Sequence, residues 1–118
     1  MEDARHLPTE HLGIGDGNEW DYSAPKTLPD GLINNAFTGW DGTARVMQRS
    51  LGISVEITAE PKLTTAIVYS PGSEADFFCF EPVSQAVDAH NRAIRGELIV
   101  LETGGELGFE MTIGWRKP

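Results

Sequence analysis

Three short stretches of this chain combine residue types able to act on a small polar molecule. The first, Asn34-Asn35-Ala36-Phe37-Thr38-Gly39-Trp40-Asp41-Gly42, gathers amides, a carboxylate, two aromatic rings and two glycines. Sugars require this mixture, because an aromatic ring covers an apolar C–H face while amide and carboxylate oxygens satisfy hydroxyls that both donate and accept. The second runs from Glu81-Pro82-Val83-Ser84-Gln85 to Asp88-Ala89-His90-Asn91, a polar stretch able to line a pocket. The third, Glu102-Thr103-Gly104-Gly105-Glu106, is a carboxylate-bearing turn in which a glutamate could serve as a general base. Each also has a plainer structural reading, which composition alone favours. Asp41-Gly42 is a common hairpin pair, Trp40 suits a core, residues 81–91 suit a polar loop with a helical turn, and turn glutamates are usually solvated.

Other chemistries find little footing. His6, His11 and His90 are scattered and have no cysteine pair beside them, so no metal-ligand pattern forms. Asp16-Gly17-Asn18-Glu19-Trp20-Asp21 lacks the later Gly and Glu of a calcium loop and reads as a turn. There is no phosphate-cradling glycine motif and no Gly-x-Ser-x-Gly elbow. Cys79, the single cysteine, sits in Phe77-Phe78-Cys79-Phe80 and reads as a small buried hydrophobe in a reducing compartment.

The elements that must position these groups are mainly strands. Residues 1–42 are rich in turn formers, including Pro8, Gly13, Pro25 and Pro29-Asp30-Gly31, and predict an extended, loop-rich lead-in lying over a sheet. From residue 43 to 118 a two-residue period predicts antiparallel strands. Ile53, Val55, Ile57 and Ala59 alternate with Ser54, Glu56, Thr58 and Glu60, giving a strand with one wet face. Residues 64–69 and 77–80 are apolar on both faces and are expected to be buried. Residues 97–101 predict a further strand, and Leu107, Phe109, Met111, Ile113 and Trp115 alternate through the last one. The sole helical candidate is residues 84–93, with Ser84 as its cap. The expected fold is therefore all-β, an antiparallel β-sandwich, in a single domain that the family resemblance described below makes a partial one.

Bulk numbers narrow the partners. With 118 residues the ceiling is one core. A formal net charge of −9 repels phosphate backbones and anionic headgroups, so nucleic acid and membrane surfaces are excluded as partners. No apolar run approaches a bilayer span, and the first residues have no signal-peptide core; with Met1 as the start, the expected location is cytoplasmic.

Taken in order, the motifs resemble the aldose 1-epimerase (mutarotase) family over almost the whole chain, corresponding to its C-terminal part. Leu7-Pro8-Thr9-Glu10 and residues 13–17 look like that family's Pro-rich approach and Gly segment. Residues 34–42 look like its Asp-Asn-x-Phe-x-Gly-Trp-x-Gly stretch. Residues 81–91 are similar to its Glu-Pro-x-Ser/Thr-His-x-x-Asp/Asn-Ala-x-Asn motif, and residues 100–113 to its Val-Leu-x-Pro-Gly-Glu turn and terminal strand. The resemblance implies a portion of a galactose mutarotase-like supersandwich that binds a hexose on a concave sheet. It also implies the reaction: a carboxylate takes the anomeric hydroxyl proton, a histidine protonates the ring oxygen, and the opened ring recloses on its other face without a cofactor or a metal. Carried over by position, Glu106 is the base, and Asn34, Trp40 and Asp41 are the substrate contacts.

Three departures qualify the match. The family's hydroxyl-gripping Asp falls on Asn34, which accepts a hydrogen bond without negative charge. In ungapped register Gly105 occupies the base position and Glu106 comes one residue late, so a bulge at Gly104-Gly105 is needed to restore its direction. The family's acid histidines lie upstream of the part matched here, which predicts a truncation, fragment or split product that self-associates or pairs with a missing N-terminal half. A non-catalytic carbohydrate-binding or assembly module derived from the same fold is the rival reading.

Overall fold

The computed structural model describes residue 22, residues 24–91 and residues 98–117. These form six strands: β1 (Ile33–Thr38), β2 (Thr43–Gln48), β3 (Ile53–Ala59), β4 (Thr65–Ser70), β5 (Cys79–Val83) and β6 (Met111–Arg116). They make two three-stranded antiparallel sheets, ordered β1-β4-β5 and β2-β3-β6. Among the described residues helix is confined to two single 3₁₀ turns, at Arg49–Leu51 and Ala89–Asn91. The chain is all-β and sandwich-like, as its alternation and lack of crossover helices predict.

The chain passes repeatedly from one sheet to the other. Residues 39–42 carry it from β1 to β2. Gly42 has φ +87, and a Cβ there would lie 2.8 Å from the Ala59 carbonyl oxygen, so both backbone conformation and close approach demand glycine. The β2–β3 hairpin closes through the 3₁₀ turn and a left-handed Gly52 (φ 62), whose N–H donates to the Arg49 carbonyl. Residues 60–64 return the chain to β4 by a turn in which the Leu63 N–H donates to the Glu60 carbonyl, with Leu63 buried.

In sheet β1-β4-β5 the register aligns Ile33 with Ser70, Asn35 with Val68 and Phe37 with Ala66. Val68 and Ala66 in turn face Phe80 and Pro82 of β5. Directly paired residues project to one side of a sheet, so these share a face. On that face Ile33, Asn35, Ala66, Val68 and Ser70 are all buried. Pro82 lacks an N–H and sits on an edge strand, where no outer ladder bond is lost.

The structure corrects several expectations. The extended, loop-rich lead-in expected over residues 1–42 contains β1, because Asn34 and Asn35 take strand conformation once β4 supplies hydrogen bonds. Residues 1–21, where the rest of that lead-in falls, lie outside the described residues. The helix expected at residues 84–93 is reduced to Ala89–Asn91: Asp88 has φ 60, incompatible with α-helix, and its side chain accepts a hydrogen bond from the Asn91 amide at 2.7 Å. Residues 92 and 93 lie outside the description.

Residues 98–101 are exposed and pair with no strand among the described residues, since β-propensity without a ladder partner does not make a strand. Phe77 is 54% exposed rather than buried, and β5 begins only at Cys79; Glu81-Pro82-Val83, read as loop, continue it. The final strand is confined to β6, so Leu107 and Phe109 precede the ladder and remain exposed.

Candidate functional site

The turn after β1 is built by its own side chains. An Asp41 carboxylate oxygen accepts the Thr43 N–H at 3.0 Å, and the Trp40 indole N–H donates to the Thr43 carbonyl at 2.9 Å. This is the local side-chain-to-backbone bonding that makes Asp-Gly pairs good turns. The Trp40 backbone N–H donates to the Thr64 carbonyl at 2.9 Å, tying the turn to residues 60–64. The half-buried indole meets the Phe80 ring edge-to-face, with centroids 5.5 Å apart. Thus Trp40 and one oxygen of Asp41 have structural bonds, while the indole keeps an accessible surface.

The stretch before β6 reaches the same end of sheet β2-β3-β6. Ala59 closes β3 there: its N–H donates to the Gly42 carbonyl at 2.8 Å on one side, and Met111 pairs with it on the other. Gly42 and Met111 are thus about 10 Å apart, two strand spacings. One residue on, the Glu60 N–H donates to the Glu110 carbonyl at 3.1 Å, and Glu60 Oε2 accepts the Glu110 N–H at 3.1 Å. The Glu60 carboxylate stands where a ladder carbonyl would be, so the segment leading into β6 is pinned at its last residue.

Glu106 lies in the exposed run ahead of that pin. The preceding turn has the Gly105 N–H donating to the Glu102 carbonyl at 2.8 Å and Gly104 at φ 80, the geometry of a type II turn. Because the ladder begins five residues after Glu106, strand parity does not set its direction. The one-residue slip expected to turn it away is replaced by a turn and an irregular approach.

Asn34 is brought less close. It lies about 13 Å along β1 from Thr38, the last strand residue before the Trp40 turn. It also alternates to the face opposite Asn35 and Phe80. The amide sharing a face with Phe80 is that of Asn35, which is buried. On the same face Phe37 meets Tyr22 edge-to-face at 5.7 Å, and the Lys26 ammonium lies 5.6 Å from the Tyr22 ring centre. Burial pushes the Tyr22 phenol pKa up from its ordinary value of 10.0.

Asn35, Phe37 and Phe80 are therefore the amide and aromatic residues that sequence reasoning passed over in favour of Asn34. The available signal was the Ile33, Asn35, Phe37 alternation, masked by the adjacent polar pair. In the second cluster, the Ser84 carbonyl accepts a hydrogen bond from the Thr64 hydroxyl at 3.5 Å, bringing the end of β5 to the residue that holds Trp40. His90 is exposed, and His6 and His11 lie outside the described residues.

The chain is 35% identical over 101 residues, 80% of its length, to the uncharacterized protein YphB of Escherichia coli K12. It spans about a third of that protein's length. No protein-family model matches the chain, and no solved structure matches it. Among the described residues no helix is long and apolar enough to cross a membrane.

Proposed function

We propose that this chain is the sugar-handling portion of an aldose 1-epimerase-like isomerase, with its site at the end of β3 where the Trp40-Asp41 turn and the approach to β6 meet. One observation supports the reading above all: Gly42 and Glu110, which border the aromatic-carboxylate turn and the Glu106 segment, are hydrogen-bonded to adjacent residues, Ala59 and Glu60. A hexose is small enough to touch both segments. The indole of Trp40 would cover a sugar face, Asp41 would accept hydrogen bonds from sugar hydroxyls, and Glu106 would take the anomeric proton. A histidine from the remaining length of the polypeptide would protonate the ring oxygen. The substrate is a hexose acting without a cofactor, in the cytoplasm. Asn34, on the far face of β1, is the weakest member of the proposed set.

The test is polarimetry of freshly dissolved glucose or galactose, with this chain alone and within a polypeptide of YphB's full length, of which the chain spans about a third. Acceleration by the full-length polypeptide is expected to fall about 10²–10⁴-fold in Glu106→Gln, the usual loss of a positioned base. No acceleration by the full-length form would refute the isomerase.

Exposure of Glu106 in an irregular stretch favours a second reading, a non-catalytic carbohydrate-binding module. NMR titration with monosaccharides separates the two. Shifts at the Trp40 indole without faster exchange between anomers would support binding alone.

A further inference from the structure

Among the described residues β6 ends sheet β2-β3-β6, and it carries the apolar row Met111, Ile113 and Trp115, which are 47%, 59% and 69% exposed. These residues share a face with Ala59, Ile57 and Val55 of β3. Edge strands usually carry a device against pairing, such as a proline, a bulge or an inward-pointing charge. β6 contains no proline, and its one charged side chain is that of its last residue, Arg116.

The hydrogen-bonding direction of β6 follows from its first anchor. The N–H and C=O of Glu110 both point to Glu60, so in an antiparallel ladder the main-chain groups of Thr112, Gly114 and Arg116 also point to β3. Those of Met111, Ile113 and Trp115 point outward.

We propose that this edge binds a second copy of the chain, β6 against β6 in antiparallel register about a two-fold axis at Ile113, joining two three-stranded sheets into one of six strands. The register is specified by the sequence itself. With Ile113 opposite Ile113, Met111 meets Trp115 of the second copy and Thr112 meets Gly114, and the outward main-chain groups of both copies oppose one another. Glu110 then lies opposite Arg116 of the second copy, twice by symmetry, so the only charged cross-strand pairs are of opposite sign. Shifting the strands by two residues removes this match and shortens the overlap. The interface is self-complementary in hydrogen bonds, apolar contacts and charge. It is also small, so a weak, concentration-dependent dimer is expected.

Analytical ultracentrifugation of the 118-residue chain from about 1 μM to 1 mM at low salt reads the association over that range. Ile113→Lys sets two ammonium groups on the axis and is expected to abolish the dimer. Glu110→Lys or Arg116→Glu alone creates like-charge pairs and is expected to weaken it about tenfold. The double exchange, Glu110→Lys with Arg116→Glu, is expected to restore it. Glu110 is held to β3 through its main chain, so exchanging its side chain leaves that tether in place, and circular dichroism checks each variant's fold.

Restoration by the double exchange is the signature of this register. A chain that stays monomeric throughout overturns the proposal and leaves the edge to a strand of a longer polypeptide. A dimer indifferent to Ile113→Lys, or one that the double exchange fails to restore, overturns it equally.

Discussion

The two sheets use similar strand lengths and the same antiparallel pairing, yet their apolar residues meet different fates. In β1-β4-β5 the buried row includes Ile33, Asn35, Val68 and Ser70, a mixture that a hydropathy reading would not select. In β2-β3-β6 the row through Met111, Ile113 and Trp115 alternates as cleanly as any segment of the chain and remains largely exposed. Alternation states which side chains share a face. Whether anything covers that face is decided by elements distant in sequence.

The largest expected effect sharpens this contrast. Ile33 is 1% exposed, so Ile33→Ala is expected to cost about 2–5 kcal/mol by removing packed methyl groups and leaving a cavity. Ile113→Ala, the same chemical change on the exposed sheet, is expected to stay within about 0.5 kcal/mol in dilute solution. Urea unfolding of both variants checks the pair, and equal costs would mean that the sheets are equally covered.

The turn linking the sheets comes next. Gly42→Ala places a Cβ at 2.8 Å from the Ala59 carbonyl in a backbone with positive φ, and is expected to cost about 2–3 kcal/mol. Gly39→Ala, at φ 73 but with open space around its Cβ, is expected to cost about 1 kcal/mol. Thermal melts that reverse this order would show that the turn relaxes freely.

Removing the carboxylate that pins the approach to β6, by Glu60→Ala, is expected to destabilise by about 1 kcal/mol, with amide exchange at Glu110 rising first. On the polar face of the same sheet, Arg45 and Glu56 form an ion pair at 2.9 Å, with side chains 56% and 50% exposed. A double-mutant cycle there is expected to read at most about 0.5 kcal/mol and to shrink with salt.

The smallest effect concerns pH. Burial raises the Tyr22 pKa in the folded state, so the unfolded chain ionises first as pH rises. The Tyr22 contribution is fully present below pH 10.0 and is lost as pH climbs through the higher folded value. Ultraviolet titration of phenolate formation, compared with Tyr22→Phe and with the chain in denaturant, measures that displacement.

Much of the candidate site was legible as composition and little of it as geometry. The Trp40-Asp41-Gly42 turn follows from local chemistry, since an Asp oxygen reaches an N–H two residues on and glycine takes the positive φ. Choosing between Asn34 and Asn35 required strand parity, and parity needed the β1–β4 register, which depends on residues 65–70 rather than on the neighbouring Asn pair. The ungapped family register requires a bulge at Gly104-Gly105 for Glu106 because it carries the last strand back to Leu107. The ladder starts at Met111, where β3 ends at Ala59, and no local signal in residues 105–110 marks that point.

The sequence by itself determined an all-β, antiparallel chain with its turns at the glycines, because side-chain alternation and positive-φ preference act over a few residues. Tertiary structure alone decided that Asn35 is buried while Trp115 is exposed, and that residues 98–101 have no strand partner among the described residues. Burial and ladder pairing are properties of two segments, and one segment's pattern cannot contain the other's position.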